Sequence, residues 1–97
     1  MPTEIEEGRE RLALPRRLAS IDLGRDSVVL LIADLHSDGS FRVVDEQLRI
    51  TGMSRGIQTP GRSESQRVGA TIEALAHYRQ RAQALGAEQL QCVATAG

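Results

Sequence analysis

The sequence predicts an α/β fold in the order β-β-β-α-β, with a mixed sheet of strand order 3-2-1-4. Three observations carry this. Apolar runs at 18–23 and 27–35 are separated by only a few residues, which makes them an antiparallel hairpin. An Asp38-Gly39 turn then leads into a third extended stretch at 41–50. A helical stretch at 63–85 is followed by a short apolar run at 90–95, and a right-handed crossover lays that last strand parallel to the first.

The elements follow in chain order. Residues 1–17 are a charged extension, with Glu4, Glu6, Glu7, Arg9, Glu10 and Arg11 ahead of Pro15, Arg16 and Arg17. Such a stretch buries too little to be held firmly, and the Arg pair reads as solvated surface before a strand. The second run, Val28-Val29-Leu30-Leu31-Ile32-Ala33, is nearly continuous and predicts burial on both faces. The third strand carries Phe41, Val43, Leu48 and Ile50 around a polar centre, Asp45-Glu46-Gln47, as expected of an outer strand with one wet side. Residues 51–62 form a glycine-rich loop. Ser63 with Gln66 three residues on fits a capping box. Val68, Ile72, Leu75, Ala82 and Leu85 recur at helical spacing as a buried stripe, with Arg67, Glu73, Arg79 and Arg81 as solvated charge and Gly86 as the C-terminal cap. His77 and Tyr78 read as boundary residues of that helix, and Cys92 as a small buried hydrophobe of the fourth strand.

Composition removes several function classes. The 97 residues carry a formal charge of −1, so no general attraction to nucleic acid or to an anionic membrane is expected. All twelve basic residues are Arg. A single Cys excludes an intrachain disulfide and a cysteine-based metal cluster. His36 has no second His, Cys or acid at metal spacing. No run approaches the roughly 18 apolar residues of a membrane span. The polar, acidic start is unlike a signal peptide, so a cytoplasmic protein is expected.

One residue does not fit a purely structural reading. Asp22 interrupts an apolar strand, and a buried carboxylate costs several kcal/mol unless it is paired, hydrated or ligated. Two readings are open. Asp22 lies at the wet end of an edge strand, or it is an acid at the C-terminal end of a central strand, followed by a turn whose backbone N–H groups face a phosphate. The 3-2-1-4 order puts Asp22 on a central strand and favours the second.

These residues carry a resemblance. Ile21-Asp22-Leu23-Gly24-Arg25-Asp26-Ser27-Val28-Val29-Leu30-Leu31 resembles the Asp-Ile-Gly-Ser-Asn-Ser-x-Arg-Leu opening of the exopolyphosphatase/guanosine pentaphosphate phosphohydrolase (Ppx/GppA) family. The glycine-rich stretch through Gly56-Ile57 and Gly61 resembles that family's segment before its first helix. Val93-Ala94-Thr95-Ala96 resembles its strand ending in Val-Ala-Thr-Ser. Together these cover 18–97. The resemblance implies a ribonuclease-H-like fold of the actin-like ATPase superfamily, here its N-terminal part. It also implies a substrate, inorganic polyphosphate or guanosine pentaphosphate, and Mg²⁺ as cofactor. By the same resemblance, Asp22 faces the metal and Gly24, Arg25, Asp26 and Ser27 form the first phosphate-binding loop.

The departures are specific. Arg25-Asp26 stands where Ser-Asn is usual, Val29 where an Arg follows the loop, and Ser54-Arg55 where Gly-Glu is common. Asp26 adds negative charge beside a polyanion, and Arg25 offsets it. The family's catalytic Glu and second phosphate loop lie beyond the matched segment, so no hydrolysis is expected from these residues alone. Two function classes follow: the N-terminal portion of a phosphohydrolase, or a non-catalytic, truncated or diverged module that binds a partner or a phosphate. An apolar fourth strand at the sheet edge also predicts self-association.

Overall fold

The computed structural model describes residues 15–52 and 63–95. Strand β1 (Arg16–Leu23) pairs antiparallel with β2 (Ser27–Leu35), which pairs antiparallel with β3 (Phe41–Ile50). Helix α1 (Glu64–Ala84) crosses over to β4 (Gln89–Ala94), which lies parallel to β1. The sheet order is β3-β2-β1-β4, as the sequence predicts. The expectations for 1–14, for the loop at 53–62 and for Ala96 lie outside the described residues.

The chemistry of the turns explains this path. Gly39 takes a φ of +89°, the left-handed region open to glycine, and the Asp38 carboxylate accepts from the Ser40 amide and hydroxyl. Ser63 caps α1 with its side chain on the Gln66 amide, while the Gln66 side chain accepts from the Ser63 amide. At the other end Gly86, with a φ of +77°, turns the chain out of the helix, its amide donating to the Gln83 carbonyl.

The core is narrow. Helix α1 packs over β2 and β1, burying Ala19, Ile21, Val28, Leu30 and Ile32 against Ala74, Tyr78 and Ala82. The buried stripe of α1 is therefore Arg67, Ala74, Tyr78 and Ala82, not the predicted set. Ala82 is shared, Leu75 and Leu85 pack at its margin, and Val68 and Ile72 stand exposed. Small residues let the helix approach the sheet, and Tyr78 fills the gap with its whole ring. Tyr78 is fully buried rather than a boundary residue, and its hydroxyl donates to the Val28 carbonyl at 3.3 Å. Burial pushes the Tyr78 phenol up from its ordinary value, a rise that the Arg49 guanidinium 5.9 Å from the ring opposes.

Only one face of the sheet is covered among the described residues. Burial in β2 alternates, so Val28, Leu30 and Ile32 are buried while Val29, Leu31 and Ala33 are half-exposed. The expected burial on both faces is corrected here: a continuous apolar run does not show whether a second layer covers it. Cys92 is exposed as well, because α1 packs over β2 and β1 and leaves every residue of β4 exposed. In β3 a register shift beside Ile32 and Ala33 leaves Val44 as an extra residue, a β-bulge in an edge strand. Asp45 of this strand faces α1 and accepts from Arg81 at 2.7 Å.

The start of β1 is tied down by a charge. The Arg17 guanidinium grips Asp34 with two bonds, at 2.8 and 3.0 Å, and donates a third to the Leu85 carbonyl at the end of α1. Arg16 pairs more loosely with Glu88. The Arg pair is thus a brace rather than solvated surface. Arg67, expected in solvent, is 9% exposed at the sheet side of α1.

Candidate functional site

Alternation places Leu18, Ser20, Asp22 and Gly24 on the uncovered face of β1. The register sets Asp22 between Val29 of β2 and Val93 of β4. Asp22 is therefore on a central strand and at its C-terminal end, as one reading held, and it is exposed, as the other held. It needs no buried partner because the face it stands on is open. No hydrogen bond or ion pair holds its carboxylate among the described residues.

The next row along the same face is Ser27, Gly24 and Thr95, one position beyond the last paired residues of each strand ladder. Its geometry is tight. A Cβ on Gly24 would lie 3.3 Å from the Ser27 carbonyl oxygen and 3.7 Å from both the Ser27 and Thr95 hydroxyl oxygens. Glycine is required for this space to exist. The Gly24 amide donates to the Ser27 carbonyl at 2.9 Å, and the Thr95 amide to the Leu23 carbonyl at 2.9 Å. Neither hydroxyl has a hydrogen-bond partner among the described residues.

The turn itself is braced from β3. Arg25 and Asp26 have negative φ, since among the described residues only glycines have positive φ. The turn is thus not of the primed type that closes most two-residue hairpins. Its conformation is held instead by the Thr51 and Gly52 amides, which both donate to the Asp26 carbonyl, at 2.8 and 3.1 Å. The Arg25 amide has no acceptor among the described residues. Arg25 is exposed, and Asp26 and Ser27 are half-buried.

These placements refine the sequence reading. Asp22, Gly24 and Ser27 share the open face, with Arg25 and Asp26 on the turn beside them. Gly24 contributes room rather than a donor, because its amide closes the turn. The sequence reading did not single out Thr51 and Gly52 as the brace, nor Thr95 as a neighbour of Gly24. Only the parallel register of β1 and β4 brings Thr95 there. Ligand sites of α/β sheets lie at such C-terminal strand ends.

Crystal structures similar to this chain carry the same arrangement of elements. A Ppx/GppA family member from Aquifex aeolicus is 34% identical over 82% of this chain, with a TM-score of 0.70. The chain corresponds to the N-terminal part of a Ppx/GppA-family protein. It spans about a quarter of the length of these relatives, 26% of the Aquifex Ppx/GppA protein. An exopolyphosphatase from Cytophaga hutchinsonii, 19% identical with a TM-score of 0.68, covers 81% of this chain and is itself covered over 25% of its length. An exopolyphosphatase-like protein, 22% identical with a TM-score of 0.69, covers 84% of this chain and is likewise covered over 25%. At that identity these two likenesses show the fold. The fold is thus the partial actin-like, ribonuclease-H-like domain of Ppx/GppA structures. No protein-family model and no curated protein matches the chain.

The donor set suits a hard, hydrated cation. Among the described residues no group of three or more His, Cys, Asp or Glu side chains could enclose a metal ion. Asp22, exposed on an open face, offers a single carboxylate, the kind of oxygen donor that a largely hydrated Mg²⁺ ion takes. Among the described residues no helix is long and apolar enough to cross a membrane.

Proposed function

We propose that this chain forms one side of a phosphate-binding cleft in a Ppx/GppA-type phosphohydrolase acting on the terminal phosphoryl groups of inorganic polyphosphate or guanosine pentaphosphate. The observation that carries this is the position of Asp22, an exposed acid with no partner among the described residues, at the C-terminal end of a central strand just before the braced turn at 24–27. The likeness to the Aquifex Ppx/GppA protein supports the family of the reaction. Gly24, Arg25, Asp26 and Ser27 are the phosphate-side residues and Asp22 the metal-side residue. A bound Mg²⁺ would offset phosphate charge and polarise the terminal phosphoryl group. The residues of this chain bind and orient: Asp22 would hold the hydrated ion, the Arg25 amide and Ser27 hydroxyl would donate to phosphate oxygens, and Gly24 leaves room for the approach. Phosphoryl transfer draws most of its acceleration from such positioning and charge stabilisation, so one half of a cleft binds without cleaving efficiently.

The second reading, a non-catalytic module working through protein contacts, is favoured by β4, whose residues are all exposed and whose outer edge is unpaired among the described residues. One titration separates the two. Tripolyphosphate is added to the 97-residue chain with and without Mg²⁺, followed by amide chemical shifts and by sedimentation. The expected outcome is weak binding, strengthened by Mg²⁺, with shifts at 22–27. In Asp22→Ala the Mg²⁺ dependence is lost. Binding that responds to Mg²⁺ equally in Asp22→Ala overturns the role of Asp22. No binding, together with concentration-dependent association, favours the module.

A further inference from the structure

The row across the mouth of the sheet reads hydroxyl, glycine, hydroxyl. Ser27 sits on one side of Gly24 and Thr95 on the other, and both hydroxyl oxygens lie 3.7 Å from the point that a Gly24 Cβ would occupy. Two parallel strands end here together, so Thr95 arrives at this point from the opposite side of β1 to Ser27. The Thr95 backbone cannot donate, because its amide is held by the Leu23 carbonyl. What Thr95 offers is its hydroxyl, exposed and without a partner among the described residues.

We propose that Thr95 is a phosphate-positioning residue that pairs with Ser27 across Gly24, so that a phosphate oxygen approaching over Gly24 from the open face is taken between the two hydroxyls, an approach that a Cβ would block. This rests on the phosphate-site reading above and extends it to a second strand.

The chemistry favours the arrangement. A phosphate oxygen accepts several hydrogen bonds at once, and an O–H donor reaches it at 2.5–3.0 Å in typical geometry. Hydroxyls rotate to suit, so a pair astride one point can serve an oxygen that enters from the open face. The Ser27 carbonyl, the nearest acceptor to this space, already accepts from the Gly24 amide, which blunts its repulsion of an anion. Asp22 is two residues back along the same face, about 7 Å at strand rise. That separation keeps the carboxylate off the anion and leaves Asp22 placed to hold a hydrated cation, which would offset the phosphate's charge. Anchoring from two strands also fixes direction. A phosphate held by the turn alone can pivot about it, whereas one gripped by Ser27 and Thr95 presents its chain along the open face toward Asp22.

The experiment uses the 97-residue chain and sodium tripolyphosphate with Mg²⁺, read by amide and side-chain chemical shifts. Thr95→Val keeps the shape of the side chain and removes its hydroxyl. Its affinity is expected to fall about tenfold, the loss of one hydrogen bond to a charged group. Thr95→Ser retains the hydroxyl and should stay within about twofold of the parent. Gly24→Ala, which fills the space, should weaken binding at least as much as Thr95→Val. Melting curves of each variant guard against misfolding, and Thr95, exposed beyond the last ladder pair, should change them little. If the parent binds with Mg²⁺ dependence through Asp22 while Thr95→Val binds equally well, the role of Thr95 is overturned and the wider reading stands. If Thr95→Val and Thr95→Ser lose affinity alike, the hydroxyl is not the donor and the proposal also fails. If the parent chain does not bind tripolyphosphate at all, both readings fall together.

Discussion

Leu30 and Leu31 follow one another in β2, yet Leu30 is fully buried under α1 and Leu31 is half-exposed on the other face. The same division runs through the sheet. On the helix side polar contacts are made: Tyr78 on the Val28 carbonyl, Arg81 on Asp45, and Arg17 on Asp34 and on Leu85. On the open side Asp22, Ser27 and Thr95 have no side-chain partner among the described residues. The contacts that tie the helix to the sheet thus lie on one face, and the acid and hydroxyls of the candidate site on the other. One face holds the fold together, and the other is free to meet a ligand.

The sharpest way to break this comparison is to truncate neighbours. Leu30→Ala should cost about 2–5 kcal/mol of stability, because it opens a cavity with no room to collapse. Leu31→Ala should cost well under that, on the order of 1 kcal/mol or less, since its site already meets solvent. Equal losses in denaturant melts would mean that the open face is covered in solution. A smaller effect tests the polar contacts of the covered side. Tyr78→Phe keeps the ring and removes one hydrogen bond at its margin, so about 0.5–1.5 kcal/mol should be lost.

The smallest effect is the response to acid. The Arg17 guanidinium beside Asp34 holds that carboxyl below its ordinary value, and Arg81 does the same to Asp45. Each folded carboxylate therefore binds protons less readily than its unfolded counterpart. Their stabilisation is complete above the ordinary Asp range, about pH 4, and is lost as pH falls through the lower folded values. Asp34→Asn should flatten this acid limb of a stability-against-pH curve. Both pairs are near the surface, so added salt should weaken the effect.

Much of the fold was legible in the sequence, and the misses share a cause. The bounds of β2 and β3 and the strand order follow from apolar runs, turn chemistry and crossover handedness, all of which are local or topological. The stripe of α1 was misread because hydrophobicity marked Val68 and Ile72, whereas close approach to the sheet selected Ala74 and Ala82. Tyr78 was misplaced for the same reason: a narrow core needs one large filler, and sequence does not say where. Cys92 was misjudged because its burial depends on how far a helix reaches across the sheet. In the candidate site, Asp22 and the turn announced themselves as a polar break in an apolar run. Thr95 did not, since its relation to Gly24 exists only once a parallel partner strand is in register. The Thr51 and Gly52 brace was hidden likewise, because backbone amides leave no signature in side-chain pattern.

The Arg17 guanidinium has a kinetic meaning as well as a static one. It joins residues 17, 34 and 85, and its bond to the Leu85 carbonyl spans 68 residues of chain. The three-strand meander needs only short loops to close, so it can form early, while the docking of β4 must wait for the whole crossover to be placed. The Asp34 grip forms with the hairpin and presets the donor that later receives the end of α1. The arginine thus acts as a latch loaded in the first stage of folding and closed in the last. Undocking the end of α1 from the sheet would have to break the arginine's bond to Leu85, so the rate of unfolding, more than that of folding, should feel its strength.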